Sequence, residues 1–341
     1  MKKKDIFLLI ILSAVAVLLI VFSGEMREGA YKGLALAENT IIPSLLPLLI
    51  IFLLIMKTGA RDVIARALGF VSHYLFNLPM VTIPAVIMGL VGGYPTGALL
   101  TQELFLSQEI DGAQAARLLR FNFCGGCGFI ITAVGTVTLL NPKAGLILFV
   151  SNITVSVLMG FGLSFTQPRI KKGYYSYRES PSFGNAIADS AESAIKSVLS
   201  ITAFVIFFGA VNNIVSLPKF ILPVIEITNG LCSGEKFSLP EISGYLAFGG
   251  LCIHMQLLPS ILKCGMKYVD FLFFRVLSAL LSYCVTKLIL LVFPMEQQVF
   301  SNNVSAIPVF SSVNIGLSFL LIVGCFVLVL DISSRKRAID N

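Results

Sequence analysis

Apolar residues come in long, nearly unbroken blocks, and the polar stretches between them are short. Blocks at residues 6–22, 34–56, 145–165, 194–214, 271–293 and 315–330 predict membrane-spanning helices, because about 20 apolar residues cover the hydrocarbon core of a bilayer. Two less regular blocks, 123–140 and 242–262, bring the expectation to about eight spans. Two further stretches are too short or too interrupted to cross cleanly. One is 81–105, broken at Gly92-Gly93-Tyr94-Pro95-Thr96-Gly97; the other is 221–232, broken at Glu226-Ile227-Thr228-Asn229-Gly230. Both read as re-entrant hairpins. The predicted fold is an all-α polytopic membrane protein.

Composition agrees with this pattern. The chain is 56% hydrophobic and 13% charged, with a mean hydropathy of +0.90, whereas soluble domains are about 25% charged. The net charge of +7 is clustered at Lys2-Lys3-Lys4, 57–66, 169–178 and Arg335-Lys336-Arg337. That clustering fits loops beside an anionic bilayer surface, not a nucleic-acid groove. Seven cysteines, an odd number set mostly in apolar runs, argue against a disulfide framework. The block at 6–22 is longer than a signal-peptide core and no small-residue cleavage site follows it, so it reads as a retained first helix.

The basic clusters orient the chain, with both termini on the cytoplasmic side of a bacterial inner membrane. If 81–105 enters and leaves by one face, the 169–178 loop stays cytoplasmic; a single crossing would put it outside. Five segments follow: a first helix with an external loop (1–33), a first repeat (34–166), a cytoplasmic linker (167–189), a second repeat (190–293), and an external loop, last helix and basic tail (294–341). Each repeat runs span, hairpin, span, span, with opposite orientation. Such inverted repeats with paired interrupted segments point to a binding site near the bilayer midplane.

The chemistry sits at the interruptions. Glycines and Pro95 leave backbone polar groups that lipid cannot satisfy, so Gly93, Tyr94, Thr96 and Gly97 either line a wet site for an anionic or polar solute or make a plain interhelical turn. Glu226 places a carboxylate in an apolar run, with Thr228 and Asn229 beside it. The trio suits a solute, a proton or Na⁺; the alternative is an interfacial Glu before an Asn-Gly helix stop. In Asn122-Phe-Cys-Gly-Gly-Cys127 the cysteines lack a second ligand pair, which leaves Asn122 as the better ligand candidate. His254 and Gln256, after Gly249-Gly250, either pack against a neighbouring helix or touch solute. Pro43 and Pro47 are expected to kink the second span. No catalytic constellation, cofactor motif or metal site is present, so no enzyme is expected. The expected partners are the lipid bilayer and a small polar solute, with homo-oligomerisation left open.

Pro43-Ser-Leu-Leu-Pro47, Gly92-Gly-Tyr-Pro-Thr-Gly97 and the amphipathic helix ending in Leu118-Leu-Arg-Phe-Asn122 resemble the YlbJ family of sporulation integral membrane proteins. Phe248-Gly-Gly-Leu-Cys-Ile-His-Met-Gln256 resembles the second half of that family's nucleoside-recognition, or gate, domain. Where the family pattern suggests Asn-Ser-Gly-Pro after Asn122, this chain has Phe-Cys-Gly-Gly-Cys. Gate domains are similar to the core of concentrative nucleoside transporters, with two hairpins and two unwound helices. The resemblance implies that Thr96, Asn122, Glu226, Asn229 and Gln256 approach one site, with nucleosides as the first solute class and a link to sporulation. A scaffold or channel component that transports nothing is the alternative.

Overall fold

A computed structural model describes residues 3–166, 182–215, 218–232 and 237–294. The predicted span at 315–330, the basic loop at 169–178 and the tail at 335–337 lie outside the described residues. Those described are helical, without strands.

The first helices are α1 (Lys3–Val21), α2 (Ser23–Leu36) and α3 (Ile42–Lys57), with a π-helical stretch Ala37–Ile41 joining the last two. Residues 23–33 are therefore helical and not the expected external loop. Their polar composition is tolerated because Gly29 and Gly33 of α2 press on a later helix. Pro43 opens α3 and Pro47 lies inside it, directly after the π stretch. Amphipathic α4 (Ala60–Phe76) ends at Asn77, whose φ of 51° turns the chain.

The predicted break at 92–97 is present. Helices α5 (Ile83–Gly92) and α6 (Tyr94–Leu106) pack on each other around Gly93. Gly93 has φ +108°, which glycine adopts without a Cβ penalty. Helix α7 (Gly112–Phe121) starts at a capping box in which Asp111 accepts from Gln114 N and the Gln114 side chain accepts from Asp111 N. The chain then leaves helical geometry at 122–125 and resumes as a π-helix, Gly128–Thr138, where the sequence predicts an ordinary span. Gly135 there meets Gly145 of α8 (Pro142–Ser164) backbone to backbone: a Cβ on Gly145 would lie 2.8 Å from Gly135 Cα.

The second half starts with α9 (Phe183–Val215), a 33-residue helix that begins well before the predicted span. It receives α2 so closely that a Cβ on Gly29 would sit 2.4 Å from Gly209 O. The short α10 (Leu222–Ile225) and α11 (Ile227–Cys232) flank Glu226. Helices α12 (Leu239–Phe248) and α13 (Leu251–Lys263) are separated by Gly249 and Gly250, both at positive φ. Last among the described elements is α14 (Tyr268–Val292). Inside the bundle, Asn152 of α8 donates to Ser243 Oγ at 3.1 Å, and Ser243 shares a 2.8 Å hydroxyl contact with Ser282 of α14. Such interhelical hydrogen bonds hold helices together where lipid offers no hydrophobic drive.

Five helices among the described residues are long and apolar enough to cross a bilayer, or six if the 108° bent pair Ala60–Phe76 and Met80–Gly92 counts as one span. The expected eight is not reached among them. The 6–22 and 34–56 blocks belong to α1 and to the 35-residue helix Ser23–Lys57, and the 123–140 block yields only the 11-residue π-helix. The protein is an integral membrane protein in contact with lipid.

Candidate functional site

Four interruptions of helical structure meet inside the bundle. The first is the α5–α6 tip. Tyr94, 5% exposed, reaches across to the second half, where its hydroxyl donates to Leu246 O of α12 at 2.7 Å. Its ring lies 4.7 Å from Phe123 in the second interruption, 122–125. Their backbones also meet directly: a Cβ on Gly126 would lie 2.5 Å from Gly93 N and 2.8 Å from Val91 O.

The third interruption is Glu226. Its carboxylate, 1% exposed, accepts from Thr228 N at 2.9 Å and Asn229 N at 2.5 Å, so it caps α11. The thiol of Cys252 lies 3.8 Å from Glu226 Oε1. The fourth, Gly249–Gly250, joins the others on both sides. A Cβ on Gly249 would meet the Phe123 ring at 2.5 Å, and one on Gly250 would meet Ile227 N at 3.1 Å.

Between these segments, α3 and α9 lies a cavity of about 30 Å³, room for a water molecule or two. Gly93, Tyr94 and Pro95 line it from the first tip, Gly125 from the second break, Ile227 and Thr228 from the third, and Ile253 from the start of α13. Tyr94–Gly97 and Glu226–Gly230 thus approach one another in the protein interior.

The remaining candidates are placed around this centre. Asn122 fills the inner side of the first hairpin. Its Nδ2 donates to Ala85 O at 3.0 Å, and Gly89 and Gly97 lack the Cβ that would collide with it. Its Oδ1 and the hydroxyl of Thr96 are buried without a hydrogen-bond partner. Asn229 Nδ2 donates to Val205 O of α9 at 2.9 Å. Both nitrogens of His254 are engaged in an aromatic cage: Nε2 donates to Phe248 O at 2.9 Å, and Nδ1 lies 3.3 Å from the Tyr268 hydroxyl. Gln256, further along α13, has a buried Nε2 without a partner. None of these five side chains, Thr96, Asn122, Asn229, His254 and Gln256, lines the cavity. Cys124 is buried and Cys127 half-buried, beside Gly125 and Gly126.

One residue beside the site is missing from the sequence-based candidates. Arg275 of α14 is 1% exposed, stacks its guanidinium on Phe123 at 4.5 Å and Phe271 at 5.3 Å, and donates from Nη2 to Arg120 O. Its Nε has no partner, and no carboxylate forms an ion pair with it among the described residues. The signal was a lone Arg in an apolar run, which marks a functional position in membrane proteins. The neighbouring Arg120 pairs with Asp270 at 2.6 Å, tying α7 to α14.

No family model matches the chain, and no solved structure matches it. The chain is similar to the sporulation integral membrane protein YlbJ of Bacillus subtilis (strain 168), 24% identical over 241 residues, which cover 64% of this chain and 59% of that protein. The chain spans about three fifths of the length of this relative. This similarity is to the protein type that the motifs around Pro43, Gly92 and Asn122 resemble.

Proposed function

We propose that this chain is a non-enzymatic, transport-like gate for a small polar solute in a bacterial cell membrane. The observation that carries the proposal is the meeting of four broken segments, two from each half, around one buried cavity. Irregular backbone at membrane depth is stable only where protein or a wet cavity receives it, and transporters build midplane sites in this way. The element order supports an inverted repeat. Span α3, hairpin α5–α6, broken α7 with its π-helix, and span α8 are followed by span α9, tip α10–α11, broken α12–α13, and span α14. With the basic clusters inside, the N-terminus is cytoplasmic. The relative's name attaches that protein to sporulation, which supports a role for this chain in a sporulating cell.

With the Glu226 carboxylate held by the N–H groups of α11, the remaining electrostatics of the cavity favour an anionic solute over a neutral nucleoside. The N-terminal end of α6, which carries partial positive charge, opens on the cavity through Gly93 and Tyr94. Arg275, a buried cation without a counter-ion, lies one aromatic layer behind at Phe123. The test is uptake by purified protein in liposomes, offered radiolabelled small carboxylates and nucleosides. Accumulation of carboxylates above protein-free liposomes is expected. No accumulation of any solute defeats the transport reading, and preference for nucleosides defeats the electrostatic part of it.

The small cavity favours a second reading, a membrane scaffold required for spore envelope formation. Rescue of a sporulation defect by a transport-dead variant such as Gly93→Leu selects the scaffold over the gate.

A further inference from the structure

Glu226 is a buried carboxylate surrounded by donors. The N–H groups of Thr228 and Asn229 and the Thr228 hydroxyl face it from α11, and the Cys252 thiol faces it from α13. No cation faces it from α9, the π-helix, α12 or α13 among the described residues. The other titratable groups around the cavity are Tyr94 on its far wall and Arg275 behind Phe123; Tyr245 of α12 points away to Phe220 O. A hard metal cation needs a shell of oxygen ligands. Beyond the carboxylate itself only the Thr228 hydroxyl offers such an oxygen among the described residues, and the N–H and S–H groups turn their positive ends toward the site and repel a metal ion. A proton needs only the carboxylate.

Given the gate proposed for this cavity, we infer that Glu226 is its proton-binding site and that the bound proton loosens the second tip. One proton from solution adds to a carboxylate oxygen and leaves again when the tip closes; no other bond changes. Protonation turns one of the two carboxylate oxygens into an uncharged hydroxyl, so the Thr228 or the Asn229 N–H keeps only a weaker acceptor and the first turn of α11 relaxes. Ile227 and Thr228, in that turn, form the cavity wall. A carboxylate solute and a proton then move together, which keeps the charge entering a low-dielectric site small.

The test uses the full chain in liposomes with an entrapped pH dye. Uptake of a carboxylate is expected to carry protons in the same direction and to speed up under an inward proton gradient. Glu226→Gln, which mimics the protonated acid but cannot release a proton, is expected to lose all response to the gradient. Wild-type uptake that ignores the proton gradient and follows a Na⁺ gradient overturns the proton site and leaves transport standing. Failure of the wild type to move any solute sinks transport itself, and the site is then read directly by pH-difference infrared spectroscopy. A carboxylic-acid band that appears on acidification and is absent from Glu226→Gln supports the proton site; its absence from the wild type overturns it.

Discussion

Replacing Gly126 with Ala tests the contact on which the cavity depends. Gly126 has φ +73°, a backbone region that costs an L-residue about 1–2 kcal/mol. The added methyl would also lie 2.5 Å from Gly93 N, 2.7 Å from Gly93 Cα and 2.8 Å from Val91 O. All three are main-chain atoms, so no flexible side chain can swing aside. Overpacking of this kind costs about 1–3 kcal/mol, and together the two effects reach about 2–5 kcal/mol. Gly162→Ala in α8 is the control, because nothing lies within 4 Å of its Cβ position and alanine is the better helix former by about 1 kcal/mol. Unfolding of both variants in mixed micelles by SDS is the assay. The reasoning fails if Gly126→Ala unfolds at the same SDS fraction as Gly162→Ala, because the first tip and the second break would then not be in backbone contact.

Tyr94→Phe removes the hydroxyl that donates to Leu246 O and is expected to cost about 1 kcal/mol, read in the same titration; no change would show that the bond across the halves is idle. Ser243→Ala breaks the links to Asn152 and Ser282, and the expected loss is about 1.2 kcal/mol, at roughly 0.6 kcal/mol for each hydrogen bond between helices in a membrane. A loss beyond about 2 kcal/mol would mean that the polar trio organises the bundle to an extent those bonds do not explain. Arg275→Met is expected to abolish the preference for carboxylates over nucleosides in competition uptake, and an unchanged preference rejects its electrostatic role.

The interruptions were legible in the sequence where backbone chemistry announces them. Gly-Gly-Tyr-Pro-Thr-Gly combines φ freedom with a missing donor, and Glu226 is an acid in an apolar run; helices end at both places. The polar stretch 23–33 misled because composition alone favours a loop. Its helix is held by Gly29 and Gly33 against α9, a partner nearly 180 residues away. The π-helix Gly128–Thr138 has no sequence signature distinct from an apolar α-helix. For His254 the two sequence readings differ only in what surrounds the ring, which periodicity cannot reveal; the surroundings found are Phe248, Phe271 and Tyr268. Asn122 was read as facing solute, and its amide instead ties the break to the first hairpin through Ala85.

The grip of Asn229 on Val205 O makes α9 a lever. One turn on, Gly209 rests on Gly29, and Asn213 Nδ2 donates to Glu25 O at 2.8 Å. A shift of the second tip therefore has a stiff route to α2 at the rim of the molecule. Tyr31, 58% exposed on that helix, stands where a dye would act as a strain gauge for an event at the protein's centre, without touching the centre itself.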